Sequence, residues 1–102
     1  MAKENKEDLF VYKFDTPVTW EDKTYESLSF DFEGLTGEDF IKIEDEMTAQ
    51  GKMAISPEFS SDFLIKMSVR ACKEPIDDVF MQKLPITAFN KIRSRARSFL
   101  LR

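Results

Sequence analysis

The sequence has no histidine and only one cysteine, Cys72. Without histidine, Ser-His and Cys-His catalysis and histidine-based metal sites are excluded. One cysteine cannot form an intrachain disulfide, and because Cys72 lies in an apolar helical pattern, we expect a buried free thiol there. The three glycines fit neither a P-loop nor a dinucleotide fingerprint, and the acidic residues do not follow the EF-hand spacing. We therefore expect no enzymatic activity, no cofactor and no metal.

Long apolar runs are also missing. No stretch approaches the roughly 20 apolar residues that span a bilayer, and the opening MAKENKED lacks a signal-peptide core. We therefore expect a cytoplasmic protein that does not enter membranes. Residues 1–8 are charged and without periodicity, which predicts a flexible N-terminal tail. A chain of 102 residues is long enough for one core and too short for two, so residues 9–102 are predicted to form a single domain.

The chain is rich in phenylalanine, and its two halves carry opposite net charges. Ten phenylalanines in 102 residues suggest that some apolar surface is kept for a partner, although they could also simply fill a small core. Residues 1–62 carry 6 basic and 16 acidic residues, a balance of −10, whereas residues 63–102 carry 9 basic and 3 acidic residues, a balance of +6. These opposite charges can pair within the fold or between subunits, and the counts leave both open.

In the first half of the chain, the spacing of apolar residues changes from that of a strand to that of a helix. Residues 9–14 and 18–20 predict two strands separated by Asp15-Thr16-Pro17, and Glu21-Asp22-Lys23 predicts a tight turn into a third strand from Thr24 to about Phe32. Thr36 with Asp39 resembles a capping box and predicts a helix from about Gly37 to Gln50, ended by Gly51.

The second half predicts further helices. Ser56-Pro57 is a helix start signal, so a second helix is expected from there to about Lys73, stopped by Pro75. A short helix follows within residues 75–83, and Leu84-Pro85 introduces a last helix to about Arg102. The predicted fold class is α+β, with an N-terminal antiparallel β-hairpin or three-stranded meander followed by three to four α-helices.

The predicted last helix combines an apolar stripe with basic residues. Phe89, Ile92, Ala96, Phe99 and Leu100 fall on one stripe, which we expect to face the core. The same segment carries five cations and no acid, which is typical of a helix that contacts phosphates: Lys91, Arg93, Arg95, Arg97 and Arg102. Against nucleic-acid binding stand the pI of about 4.9 and the separation of these cations on both sides of the stripe.

The run FVYKFDTPVTWEDKTYESLSFDFEGLTGEDF resembles the tail assembly chaperones of tailed bacteriophages. Members of that family open with a strand, a Pro-Val or Pro-Ile step, a turn, and an S-L-x-F/L strand leading to an Asp-Phe or Asp-Leu helix start. Here these parts are Pro17-Val18, residues 21–23, residues 27–30 and Asp39-Phe40. The likeness continues through MTAQGKMAISPEFSSDFLIKMSVRAC and Leu84-Pro85, and so covers nearly the whole chain after residue 8. Many members have a glycine in the hairpin turn, which this chain lacks.

The resemblance implies a non-enzymatic phage or prophage protein that binds and solubilises the tape measure protein during tail morphogenesis. It also implies self-association, contacts with the tail tube protein, and a longer form of the chain made by translational frameshifting. Such a protein acts in the cytoplasm of the bacterial host and is not expected in the mature virion. For contact with the client or with another subunit we predict Phe63, Met67, Phe89, Ile92 and Phe99. Two alternatives are a nucleic-acid-binding phage regulator that uses the basic C-terminal helix and a structural tail or head-completion protein.

Overall fold

The computed structural model describes residues 9–53 and 55–102, and the predicted tail at residues 1–8 lies outside the described residues. The described part of the chain begins with an antiparallel hairpin of β1, Phe10–Trp20, and β2, Lys23–Phe30. Glu21 and Asp22 form the turn between them with φ of 50° and 69°. Positive φ at both central residues is the geometry that matches the twist of a two-residue hairpin. The predicted tight turn is confirmed, with Lys23 already in β2.

Among the described residues the sheet is a hairpin rather than a three-stranded meander, because both predicted N-terminal strands belong to β1. Lys13 pairs with Ser27, but the next pair along the ladder is Val18 with Tyr25. Residues 14–17 of β1 therefore lie opposite Glu26 alone. Pro17 cannot donate a ladder hydrogen bond, and a bulge accommodates it without ending the strand.

The first helix, α1, spans Gly37–Ala49 and follows a short 3-10 turn at Phe32–Gly34. Its predicted start is confirmed: the Thr36 N–H donates to Oδ2 of Asp39 over 2.8 Å, so the first turn is capped by its own third residue. The predicted stop is confirmed too, since Gly51 lies just beyond the helix at φ 76°, a conformation that a β-carbon disfavours.

The second helix, α2, spans Ser61–Ala71, so both of its predicted ends were wrong. Ser56-Pro57 starts only a 3-10 turn at Pro57–Phe59, and Ser60 is the N-cap of α2, accepting a hydrogen bond from the Phe63 N–H over 3.2 Å. The helix ends before Lys73 because the chain there pairs with the end of β2. The Lys73 N–H donates to the Ser29 carbonyl, and the Asp31 N–H donates to the Ala71 carbonyl, each over 2.8 Å.

Two more helices complete the fold: α3, Asp78–Lys83, and α4, Ile86–Leu100. The predicted α+β class is confirmed. α2 is the central helix, since α1, α3 and α4 all pack against it. The core takes buried residues from β2, the 3-10 turn at Phe32–Gly34 and all four helices, and half-buried side chains of β1 pack against it. Its largest fully buried side chains are Phe30, Phe63, Phe80, Leu28, Ile43, Leu64, Met81 and Ile92. No helix in the described part of the chain is long and apolar enough to cross a bilayer.

Several of the opposite charges of the two halves meet inside this fold. Arg70 on α2 contacts Asp39 over 2.8 Å and Glu46 over 3.9 Å, both on α1. Lys66, one helical turn earlier, lies 3.7 Å from Glu46 and 2.6 Å from Asp78 on α3. The contacts with Asp39 and Glu46 join the two halves, so part of the charge asymmetry of the sequence is satisfied within the fold, whereas Asp78 belongs to the same half as Lys66.

Candidate functional site

An apolar cleft of about 350 Å³ opens between the start of α1, the middle of α2 and the end of α4. We refer to it as the α1–α4 cleft. Its polar lining consists of Thr36, Gly37 and Asp39, and its apolar lining consists of Leu35, Phe40, Ile43, Phe63, Met67, Phe99 and Leu100. The volume lies at the lower end of the range that is usual for ligand sites in proteins. An apolar lining of this kind, open at the surface, accepts apolar groups.

Helical spacing places these side chains together. Phe40 and Ile43 lie three residues apart on α1, and Phe63 and Met67 lie four apart on α2, so each pair is on one helix face. The rings of Phe40 and Phe63 are 4.8 Å apart across the helix interface. Met67 adds a flexible and polarisable thioether beside them, a side chain that adapts to different neighbours. The floor of the cleft is therefore aromatic and adaptable.

The α4 side of the cleft is formed by the last turn of that helix. Phe99 stacks on Phe32 of the 3-10 turn with ring centres 5.8 Å apart. Arg102 fixes this end: its guanidinium lies 4.6 Å from the centre of the Phe99 ring and donates to Oε2 of Glu33 over 2.7 Å. The ion pair joins the C-terminus to the 3-10 turn, and the cation–π contact holds Arg102 against Phe99, so together they position the Phe99 wall.

The α1 side carries a polar edge built on Asp39. Oδ1 of Asp39 accepts hydrogen bonds from Nε and a terminal nitrogen of Arg70 over 3.0 and 2.8 Å, while Oδ2 accepts from the Thr36 N–H. The backbone hydrogen bond from Thr36, and next the hydrogen bond from Arg70, hold the pKa of Asp39 below its ordinary value of 3.8. The carboxylate is therefore ionised and already bonded at neutral pH.

Three of the five predicted contact residues meet in this cleft: Phe63, Met67 and Phe99. Phe89 and Ile92 are not among its lining residues. Phe63, Met67 and Ile92 are core residues, 0%, 4% and 0% exposed, whereas Phe89 and Phe99 are half-buried. In this conformation neither Phe63 nor Ile92 offers surface to a partner and Met67 offers very little, although Phe63 and Met67 lie against the cleft.

Sequence reasoning missed the cleft residues of α1 and the turn before it. Phe40 and Ile43 recur at helical spacing within the predicted first helix, but that spacing alone does not distinguish a core face from the wall of a cleft. Leu35 and Leu100 reach the cleft because they lie at the ends of elements that meet there. Only the packing of α1 and α4 on either side of α2 brings the four residues together.

The basic residues of α4 do not form one surface. The Arg93 guanidinium donates to Oγ of Ser61 over 3.1 Å, and Nε of Arg97 donates to the Glu58 carbonyl over 2.9 Å. With Arg102 bonded to Glu33, three of the five predicted cations face the chain itself. The expected split of the arginines is confirmed, and a continuous phosphate-binding face is not formed along this helix.

Two observations bear on chemical reactivity. In the described part of the chain no group of three or more acidic or thiol side chains is arranged to hold a metal ion. Burial raises the pKa of Cys72 to about 12, with the Glu74 side chain adding to the rise and a backbone hydrogen bond to Glu74 opposing it, so the thiol is protonated at neutral pH and is a weak nucleophile. Cys72 is half-buried rather than buried, which corrects that expectation.

Comparisons of the chain with protein-family models, with curated proteins and with solved structures give no match. The resemblance to tail assembly chaperones therefore stays a prediction from the sequence.

Proposed function

We propose that the protein is a non-enzymatic bacteriophage tail assembly chaperone that holds apolar helical segments of the tape measure protein in the α1–α4 cleft. The observation that carries the proposal is the lining of that cleft by Phe40, Phe63, Met67 and Phe99. A long helical client that waits for tail tube subunits exposes apolar stripes. Laying one face of an amphipathic helix into an apolar groove is a common way for proteins to bind such stripes.

The size of the cleft sets the strength that we expect of this contact. A cleft of about 350 Å³ accepts only one or two large side chains of the client. Burying one Leu, Phe or Met side chain contributes roughly 1.5–3 kcal/mol, and association itself costs several kcal/mol. One cleft therefore binds weakly, and useful holding needs several copies along one client. Weak, repeated contacts also let tube subunits displace the chaperone.

The charged edges of the cleft support broad rather than sequence-specific binding. Asp39 is bonded to Arg70, and Glu33 is bonded to Arg102. The charges at these edges already have partners within the protein. A charged side chain of the client therefore gains little free energy by pairing with them. The shape of the apolar side chains of a client segment then decides whether the segment binds. This suits a protein that must cover many segments of one client.

The wider role follows from the same resemblance. We propose that the protein acts in the cytoplasm of the bacterial host, associates with itself, contacts the tail tube protein, and is absent from the mature particle. Mass spectrometry of purified particles separates this role from that of a structural tail or head-completion protein, which would persist. A nucleic-acid-binding regulator is less well supported because Arg93, Arg97 and Arg102 contact the chain itself.

The experiment is co-expression with the tape measure protein, using two matched variants of α4. Phe99 lines the cleft, whereas Phe89 is equally a half-buried phenylalanine of the same helix and does not. We expect Phe99→Ala to reduce the soluble fraction of tape measure protein severalfold and Phe89→Ala to leave it near the wild-type level. Melting temperatures of both variants control for unfolding. Equal losses in two folded variants would remove the cleft from the proposal.

A further inference from the structure

A second groove, of about 520 Å³, lies between β1 and α4, on the other flank of that helix. We refer to it as the β1–α4 groove. β1 contributes Phe10 and Tyr12, and the exposed flank of α4 contributes Lys91, Ser94, Arg95 and Ser98. None of these residues lines the α1–α4 cleft. The two sites are therefore separate, and the proposed function makes no use of this one.

The chemistry of the β1–α4 groove favours an anionic occupant. Its α4 flank offers an ammonium, a guanidinium and two hydroxyls, all of which can donate hydrogen bonds, and α4 contains no acidic residue. The Arg95 guanidinium lies 4.9 Å from the centre of the Phe10 ring, which holds its charge at the groove. Within residues 9–53 and 55–102, neither Lys91 nor Arg95 forms an ion pair.

The backbone beside the groove favours an occupant in extended conformation. Among the described residues the sheet has two strands, so the outer edge of β1 has N–H and C=O groups without a strand partner. From Phe10 to Lys13 the pairing of β1 with β2 is regular, and the bulge begins only after Lys13. This short stretch is a straight edge of the kind to which another chain can pair. Phe10 and Tyr12 belong to both the edge and the groove.

We infer that the β1–α4 groove binds an extended, acidic segment of a partner protein. The segment adds to β1 as a third strand beside Phe10–Lys13, and its alternate side chains point toward α4. Carboxylates on those side chains meet Lys91 and Arg95. A single-stranded nucleic acid is the rival occupant, but it has no peptide N–H and C=O groups and cannot form a strand ladder with β1.

The test measures fluorescence anisotropy of a labelled peptide of four Thr-Glu repeats with the full-length protein. We expect saturable binding that weakens about fivefold in Lys91→Ala/Arg95→Ala, as the loss of two exposed ion pairs predicts. The matched control, Lys42→Ala/Lys73→Ala, removes two exposed cations elsewhere and should leave the affinity unchanged. Absence of binding, or equal weakening in both variants, would overturn the inference.

Two further probes separate strand pairing from charge attraction alone. A peptide of four Pro-Glu repeats keeps the charge but lacks half of the N–H donors, so it should bind several times more weakly than the Thr-Glu peptide. In ¹⁵N spectra the Thr-Glu peptide should shift the amides of Phe10–Lys13 and leave those of α1 in place. Equal binding of the proline peptide would contradict strand addition, and tighter binding of an oligothymidine of the same length would identify the groove as a nucleic-acid site.

Discussion

Asp39 and Arg70 join the first turn of α1 to the last turns of α2 through two hydrogen bonds to one carboxylate oxygen, over 3.0 and 2.8 Å. The other oxygen of Asp39 caps α1 at Thr36. One side chain thus starts a helix and fixes it against the central helix of the fold. Because Asp39 also lies at the edge of the α1–α4 cleft, this pair positions the cleft wall that α1 provides.

The first prediction concerns the pH dependence of that pair. The folded-state pKa of Asp39 is lowered below 3.8, so its stabilising contribution is present in full above that value and is lost as the pH falls through the folded pKa. Asp39→Asn should therefore lower the melting temperature at pH 7, and its difference from the wild type should shrink below pH 3.8. Thermal unfolding followed by circular dichroism between pH 2.5 and 7 measures this.

Glu44→Gln is the control, since Glu44 is an exposed carboxylate on the same helix and has no ion pair among the described residues. It should behave as the wild type at every pH. A gap between Asp39→Asn and the wild type that stayed constant down to the lowest pH would contradict the assigned role of the carboxylate.

The second prediction concerns the buried lysine of α2. The side chain of Lys66 is 5% exposed, and its Nζ lies 2.6 Å from Oδ2 of Asp78, whose side chain is 35% exposed. Removing one partner of a buried ion pair leaves a charge without compensation. Because Asp78 is partly exposed and Glu46 remains nearby, Asp78→Asn should destabilise the fold by about 2 kcal/mol, below the usual 3–5 kcal/mol. Urea unfolding measures the change.

Replacing the lysine as well should restore most of that loss. Lys66→Met/Asp78→Asn removes the uncompensated charge and keeps the aliphatic volume, so its stability should approach that of the wild type. Asp62→Asn is the control, because the Lys52–Asp62 pair is exposed and should be worth less than about 1 kcal/mol. A double variant as unstable as Asp78→Asn would show that burial of the lysine charge is not the cause.

The third prediction concerns the hairpin turn. Glu21 and Asp22 both have positive φ, which is costly for residues with a β-carbon and is tolerated better by Asp than by Glu. Asn-Gly is the preferred pair for this geometry. Glu21→Asn/Asp22→Gly should raise the free energy of unfolding by roughly 1 kcal/mol, measured by urea titration. Thr24→Gly, one residue into β2, should instead destabilise the hairpin. A less stable Asn-Gly variant would refute the assigned turn.

Features encoded in short stretches could be predicted from the sequence. The capping pair Thr36 and Asp39 and the stop at Gly51 depend only on neighbouring residues, and all three are where they were expected. The predicted start of α2 was wrong because both Ser56-Pro57 and Ser60 are possible helix starts. Ser56-Pro57 begins only a 3-10 turn, and α2 begins after Ser60. The end of α2 was predicted too late because pairing with β2, which is distant in sequence, interrupts the helix.

The candidate site was predicted in part for the same reason. Apolar residues at helical spacing led to five predicted contact residues: Phe63, Met67, Phe89, Ile92 and Phe99. It could not show which of these would line a cleft, because that depends on the gap between α1 and α4. The bulge in β1 was beyond sequence reasoning as well, since a register shift is decided by both strands of a ladder.

The most direct test of the proposed function follows methyl signals of the full-length protein during titration with an amphipathic helical segment of the tape measure protein. Met67 lines the α1–α4 cleft, whereas Met81 is buried elsewhere in the core and serves as the internal control. We predict a saturable shift of the Met67 methyl, an unchanged Met81 methyl, and loss of the shift in Phe99→Ala. An unchanged Met67 methyl while the segment binds would contradict the proposal that the cleft holds the client.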